Sequence, residues 1–446
     1  MTYALIAYLV VLVLIALRSA WRVKDIPDFF VARKAASAKA VAGSLVATIL
    51  GGSAVIGAVD SGARLGGAAS WFMLVGALGL LALIPFAGRA YSHGKYSLPD
   101  LVENLYGKGP RVVASVVIPV AWTGIVAAQI IAAAKLLMTF TSMGYMTAAI
   151  VSAAVFTGYT LAGGQLSILR TDFMQACLII LGLVLLAGFA LFGGASGATP
   201  AASSLSTILQ GAPEFPFNQN FSPLDLFLLI LTYGTTYTAG PDIYSRMFCA
   251  KDTATAKKAI AMAACTLIPV AFIIGFLAVF GVGLENVQGA RITAIANAVL
   301  PPALIPLFAL ALLSVVLSSA DTTLLSSSVI INGFCRKPSL LLARFLILMN
   351  GMVALLFALV FTDIIGTLLL ALAVYAGAFT VPVLWGLLGL KAKPKFVGAA
   401  IIAGGLLALA GKLCPAGALG AHTGDILLIA AFAVNGIILA LGRKAQ

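Results

Sequence analysis

Apolar runs of about twenty residues recur from one end of this 446-residue chain to the other, each long enough to cross a bilayer as a helix. No other feature limits the fold as much. Charged residues are only 9% of the chain against 62% hydrophobic, whereas a soluble domain carries roughly 25% charged. A water-facing surface of ordinary size cannot be built from that composition. The chain therefore reads as an all-α polytopic membrane protein. A secreted disulfide scaffold, a disordered chain and a soluble enzyme are excluded.

Hydropathy and helix breakers place thirteen spans at approximately 3–20, 41–62, 68–88, 112–140, 146–162, 171–193, 223–245, 258–282, 302–332, 339–361, 364–390, 396–413 and 426–442. The first run, Tyr3–Leu17, has its positive charges after it, the reverse of a signal peptide, and reads as a retained helix with its N-terminus outside. Alternating the loops then puts 23 of the 27 Lys and Arg on the cytoplasmic side, Arg246 among them, and leaves Arg64, Lys135, Arg291 and Lys412 at the outer side. Thirteen spans with the C-terminus inside satisfy this pattern, and one helix more or fewer would scramble it. It also explains the net charge of +13 without nucleic acid. We read 1–446 as one membrane domain: an extra helix and loop over 1–40, a first repeat over 41–193, an external loop over 194–222, a second repeat over 223–390 and two further helices over 391–446. The five cysteines form no CxxC and the two histidines, His93 and His422, stand far apart, so no zinc or iron site of ordinary spacing is expected.

Two spans look broken. The second carries Gly51-Gly52-Ser53 at its centre, and the seventh carries Gly234, four Thr and then Gly240-Pro241. Gly costs roughly 1 kcal/mol relative to Ala inside a helix and Pro about 3. Transporter sites are often built from discontinuous helices at corresponding positions of two halves. Each broken span here opens a five-helix block, so 41–193 and 223–390 are expected to be an inverted pair.

Charged groups within a bilayer are costly and usually functional. Asp321 lies inside the ninth span, in Ser318-Ser319-Ala320-Asp321-Thr322-Thr323, and Asp172 opens the sixth. Sodium favours several hard oxygen ligands. The hydroxyls of Ser318, Ser319 and Thr322 supply some, and an unwound turn at Ala47–Leu50 would free carbonyls to complete a site.

With these residues in view, the chain resembles the sodium:solute symporter family. The landmarks are Asp28-Phe29-Phe30-Val31-Ala32-Arg33, the core helix Leu45-Val46-Ala47 to Ile56-Gly57, and Tyr159-Thr160-Leu161-Ala162-Gly163-Gly164 leading to Thr171-Asp172-Phe173-Met174-Gln175. Asp242-Ile243-Tyr244-Ser245-Arg246 with Ala250-Lys251, and then Ser318-Ser319-Ala320-Asp321, complete the order over about 25–395. The resemblance implies a five-plus-five inverted-repeat core like that of the leucine transporter, and no enzymatic activity. It implies a primary sodium held by the carbonyls of Ala47, Leu50 and Val315 and the hydroxyls of Ser318 and Ser319. A second sodium around Asp172, Asp321 and Thr322 is the alternative to coupling by one ion. Sodium is the only cofactor expected.

Positions that face the solute in relatives fall on Gly51, Gly52, Ser53, Trp71, Met73, Tyr233, Thr236 and Tyr237, with Gln129 from the fourth span. A sugar needs paired donors and acceptors for many hydroxyls, and Met73, Tyr233 and glycines do not supply them. The reading is a sodium-coupled importer of an amino acid or small carboxylate, either one held by N–H groups exposed at the Gly51-Gly52 break. Proton coupling or exchange on the same fold, or a sugar, vitamin or other polar metabolite as solute, are the competing readings. The expected partners are the solute, Na⁺ and the lipid of the cell (inner) membrane; nothing in the sequence fixes the oligomeric state.

Overall fold

The structure, a computed structural model, describes residues 25–192, 215–284, 290–335, 337–414 and 423–443, together with residue 23 and seven positions between 8 and 18. Most of the first expected span and of the 194–222 loop lies outside the described residues. Among those described, the chain is helical, with isolated bridges and no longer strand.

A short helix α1 (Ile26–Val31) precedes α2 (Ala38–Ile49) and α3 (Ser53–Asp60). Then come α4 (Trp71–His93), α5 (Leu98–Tyr106), α6 (Lys108–Phe140), α7 (Tyr145–Leu161) and α8 (Gly164–Phe192). Further along the chain, α9 (Pro223–Leu229), α10 (Thr235–Ala239) and α11 (Pro241–Met247) share one interrupted column. The rest are α12 (Thr253–Phe280), α13 (Arg291–Val299), α14 (Ile305–Phe334), α15 (Leu340–Val360), α16 (Ile364–Leu387), α17 (Pro394–Leu413) and α18 (Thr423–Leu441). Nine helices among the described residues are long and apolar enough to cross a membrane, and the bent pair α2 and α3 makes a tenth.

The starts follow local chemistry. Ser37, Asp252 and Ser339 cap α2, α12 and α15 by accepting from backbone N–H groups, and Ser97-Asp100 and Ser222-Asp225 form reciprocal capping boxes. The Thr255 N–H donated to Asp252 also holds that carboxyl below the usual range. Both expected interruptions are present. Leu50 leaves helical geometry (φ −74°, ψ 51°), and α2 and α3 meet at a 53° bend. In the other column a π turn spans Ile230–Gly234 and Gly240 is extended before Pro241. A third break comes at Gly164, with φ +59°, where a Cβ would lie 2.5 Å from Phe29 Cδ2. Only glycine suits a left-handed residue pressed on a ring.

Burial shows what lies at the centre. In the most apolar window of α14, 83% of residues are buried, against 22% in α15 and in α18. Helix α14 packs on α6, α8 and α2. The oxygen-rich turn at Ser318–Thr323 thus faces the break between α2 and α3, with no lipid contact.

Candidate functional site

Two hydroxyls of α14 reach across to the open end of α2. Ser318 Oγ donates to the Ala47 carbonyl at 2.8 Å, and Ser319 Oγ donates to the Thr48 carbonyl at 2.8 Å. Ser318 also lies 2.8 Å from the Ser314 carbonyl and 3.4 Å from that of Val315. Both serines are buried. Ala47, Val315 and Ser318 of the expected primary ion site therefore converge, and Leu50 stands at the break itself. Ser319 differs in detail, because its partner is the carbonyl of Thr48, which sequence reasoning did not single out. Carbonyls and hydroxyls brought together from two helices, with no base among them, are a donor set of the kind sodium takes.

One turn further along α14 the character changes from neutral oxygens to charge. Thr322 donates to the Ser318 carbonyl at 2.7 Å, stands 3.3 Å from Thr48 Oγ1 and is 3.3 Å from Asp321 Oδ1. Asp172 Oδ2 accepts from Ser44 Oγ. Between them lies Arg246, fully buried on α11. Its Nη2 is hydrogen-bonded to Thr322 Oγ1 and lies 3.5 Å from Asp172 Oδ2, its Nε is 3.2 Å from Ser44 Oγ and its Nη1 is 3.1 Å from Ser245 Oγ. Asp172, Asp321 and Thr322 are thus gathered as expected, but their centre already holds a cation of the chain. Asp172 Oδ1 and Asp321 Oδ2 have no hydrogen-bond partner there. Arg246 corrects the sequence reading, which counted it with the cytoplasmic loop charges. Gly240-Pro241 restarts the helix and carries it inward.

Above the ion position is a small cavity of about 40 Å³, with room for about three water molecules. Gly51, Ser53, Gln129, Tyr233, Thr236 and Tyr237 of the expected solute site line it, joined by Ser319 of the expected sodium site and by Trp122, Asp242 and Thr323, which the sequence did not mark as site residues. Three expected residues lie elsewhere. Trp71 stacks on Phe215 (centroids 5.5 Å) and donates to the Pro216 carbonyl. Met73 is fully buried away from the cavity. A Cβ on Gly52 would lie 2.6 Å from Ala132 Cβ and 2.9 Å from Val316 Cγ1, so this glycine serves helix packing. Its N–H is also committed, donating to Gln129 Oε1 at 2.9 Å, so it is not free for a carboxylate.

Successive turns of α14 go on to line two more spaces. Leu325, Ser326, Val329 and Ile330 border a void of about 10 Å³, and Val329, Gly333 and the following Pro338 border a vestibule of about 500 Å³. Phe30 and Tyr96, edge to face with centroids 6.0 Å apart, line both.

The sodium:solute symporter family model matches residues 29–392. A sodium/proline symporter of Haemophilus influenzae is 28% identical over 247 residues, which are 52% of this chain and 46% of that protein. The matched stretch thus spans a little under half of that relative's length. The solved structure of a Na⁺-coupled sialic acid symporter, substrate-bound and outward-open, superposes with a TM-score of 0.78 at 19% identity, covering 100% of this chain and 98% of that one. A nucleobase-cation-symport-1 family transporter in a closed conformation gives 0.54 at 16% identity, covering 93% and 94%. At these identities the structural likeness speaks for the fold alone.

Proposed function

The chain belongs to the sodium:solute symporter family, and on that footing we propose that it is a sodium-coupled importer of a small organic solute, an amino acid or small carboxylate, working by alternating access in the cell membrane. In this reading thirteen spans run from an outer N-terminus to a cytoplasmic C-terminus, and 41–193 and 223–390 form the inverted pair. Ser319 carries the proposal, because it belongs to both sites: its hydroxyl reaches the Thr48 carbonyl at the ion position, and it lines the solute cavity.

Sodium would be held by the carbonyls of Ala47, Leu50 and Val315 and the hydroxyls of Ser318 and Ser319. To accept it, both hydroxyls turn their O–H hydrogens away from the carbonyls they now serve, so that their lone pairs face the ion. Binding then ties α2 to α14 and fixes the cavity wall formed by Gly51 and Ser319. An ion that raises solute affinity in this way is itself bound more tightly when solute is present, because coupling is reciprocal. One sodium suffices here. Arg246 stands as the resident cation at the second position, paired with Asp172. The vestibule beyond Phe30 and Tyr96 supports a release path along α14, on the side where the charge pattern puts the cytoplasm.

The test is thermal unfolding of the purified chain in sodium against potassium, with uptake into vesicles under sodium and pH gradients imposed separately. Sodium should stabilise the wild type by mass action and drive accumulation. In Ser318→Ala/Ser319→Ala the sodium needed for either effect should rise, each lost ligand costing on the order of 1–3 kcal/mol. Wild-type accumulation on a pH gradient without sodium, or an unchanged sodium response in the double variant, refutes the proposal.

A further inference from the structure

The solute cavity has an electrical sign. Of its lining residues only Asp242 is charged, and no Lys, Arg or His is among them. Asp242 sits in the first turn of α11, where its carboxylate accepts from backbone N–H groups of its own turn. The nearest base along the helix, Arg246, acts on Asp242 through its charge but makes its ion pair with Asp172. A carboxylate facing a small cavity inside the protein favours a cation there. Aromatic groups surround the same space: Tyr233 and Tyr237, edge to face with centroids 5.0 Å apart, and Trp122. Such rings favour a cation over their faces.

Resting on the symport reading above, we propose that the solute carries a protonated amino group, which Asp242 meets as counter-ion between Tyr233 and Tyr237. An amino acid presents that group. This narrows the solute class, because a carboxylate without an amine would face Asp242 uncompensated. The small volume further restricts the solute to a compact skeleton unless the cavity widens on opening. Asp242 would then act as a specificity-determining residue, distinct from the sodium ligands.

The experiment is a thermal-shift and equilibrium-binding comparison on the full chain in sodium buffer. Its probes are compact L-amino acids and glycine betaine, each paired with an isostere lacking the positive nitrogen, such as L-proline with tetrahydrofuran-2-carboxylate and glycine betaine with 3,3-dimethylbutanoate. At least one nitrogen-bearing member should stabilise the wild type while its isostere does not. Asp242→Asn keeps the shape and the backbone hydrogen bonds but removes the charge. It should lose about 10- to 100-fold in affinity for that probe, the range of a charge-assisted hydrogen bond, and keep its response to sodium. Equal stabilisation by the isostere, an unweakened Asn variant, or no response to any nitrogen-bearing probe overturns the inference. The isostere comparison needs only the wild type and so stands if a variant does not fold. If sodium still stabilises the wild type when every amine fails, only the solute class is overturned, whereas loss of the sodium response rejects the symport reading.

Discussion

Replacing Arg246 by Gln isolates what a buried cation does in this fold. The guanidinium is fully buried and serves Asp172, Thr322, Ser44 and Ser245 at once. Asp172 Oδ1 and Asp321 Oδ2 have no hydrogen-bond partner, so Arg246 is the group that compensates both acids. Removing one partner of a buried ion pair costs about 3–5 kcal/mol, because a charge is left without compensation. Arg246→Gln should therefore lower stability by about that amount in potassium buffer. Adding Asp172→Asn removes the orphaned charge, and the double variant should recover about 1–3 kcal/mol of the loss as a coupling energy. If the guanidinium is the resident cation at the second position, sodium should do more for Arg246→Gln than for the wild type, because a second ion can then enter. Chemical unfolding of the four proteins of this cycle, each with and without sodium, gives all the quantities. Equal stability of Arg246→Gln and wild type, or no coupling between Arg246 and Asp172, would refute the reasoning. A sodium response that does not grow in Arg246→Gln would reject the resident-cation role while leaving the structural pair intact.

Two further outcomes follow from close approaches. In Gly51→Ala the new Cβ would lie 2.5 Å from Ser319 Oγ and 3.3 Å from Gln129 Nε2; overpacking of this kind costs about 1–3 kcal/mol. The serine should be pushed off the Thr48 carbonyl, and the sodium midpoint in a binding titration should rise; an unmoved midpoint would show that Ser319 is not a ligand. Phe30→Ala should open the constriction between vestibule and void, raising the labelling rate of Ser326→Cys by a soluble thiol reagent in a background without the native cysteines. A rate equal to that with Phe30 present would show that the ring closes nothing.

How far the sequence carries depends on the distance over which each cause acts. Apolar runs, caps and breakers are local, so the helices of the described residues and the interruptions at Leu50–Gly52 and Gly240 could be read from short stretches. The hydroxyl pair Ser318-Ser319 was also legible, since adjacent oxygens on an otherwise apolar helix need a reason. Trp71 and Met73 were not, because a register carried over from relatives cannot show that Phe215 and Pro216 of the distant external loop hold the indole. Gly52 failed for a related reason: a break frees backbone groups, yet Gln129, on a helix 77 residues further on, takes its N–H.

Arg246 shows the limit most clearly. Its neighbours Asp242, Lys251 and Asp252 make the stretch read as a charged loop, and hydropathy averages over the turn that matters. Within that turn, Gly240-Pro241 restarts the helix and sends five residues inward. The signal that could have found it is charge balance. Asp172 and Asp321 were both placed inside the membrane, and two enclosed carboxylates require cations. The first base after the second interruption is Arg246, because a restarted helix is the one element free to deliver a long side chain into the core. The same argument picks out Asp242, four residues earlier on that helix. Arg246 makes its ion pair with Asp172, and the acid one turn before it lines the cavity, where it offers a carboxylate to what the cavity binds.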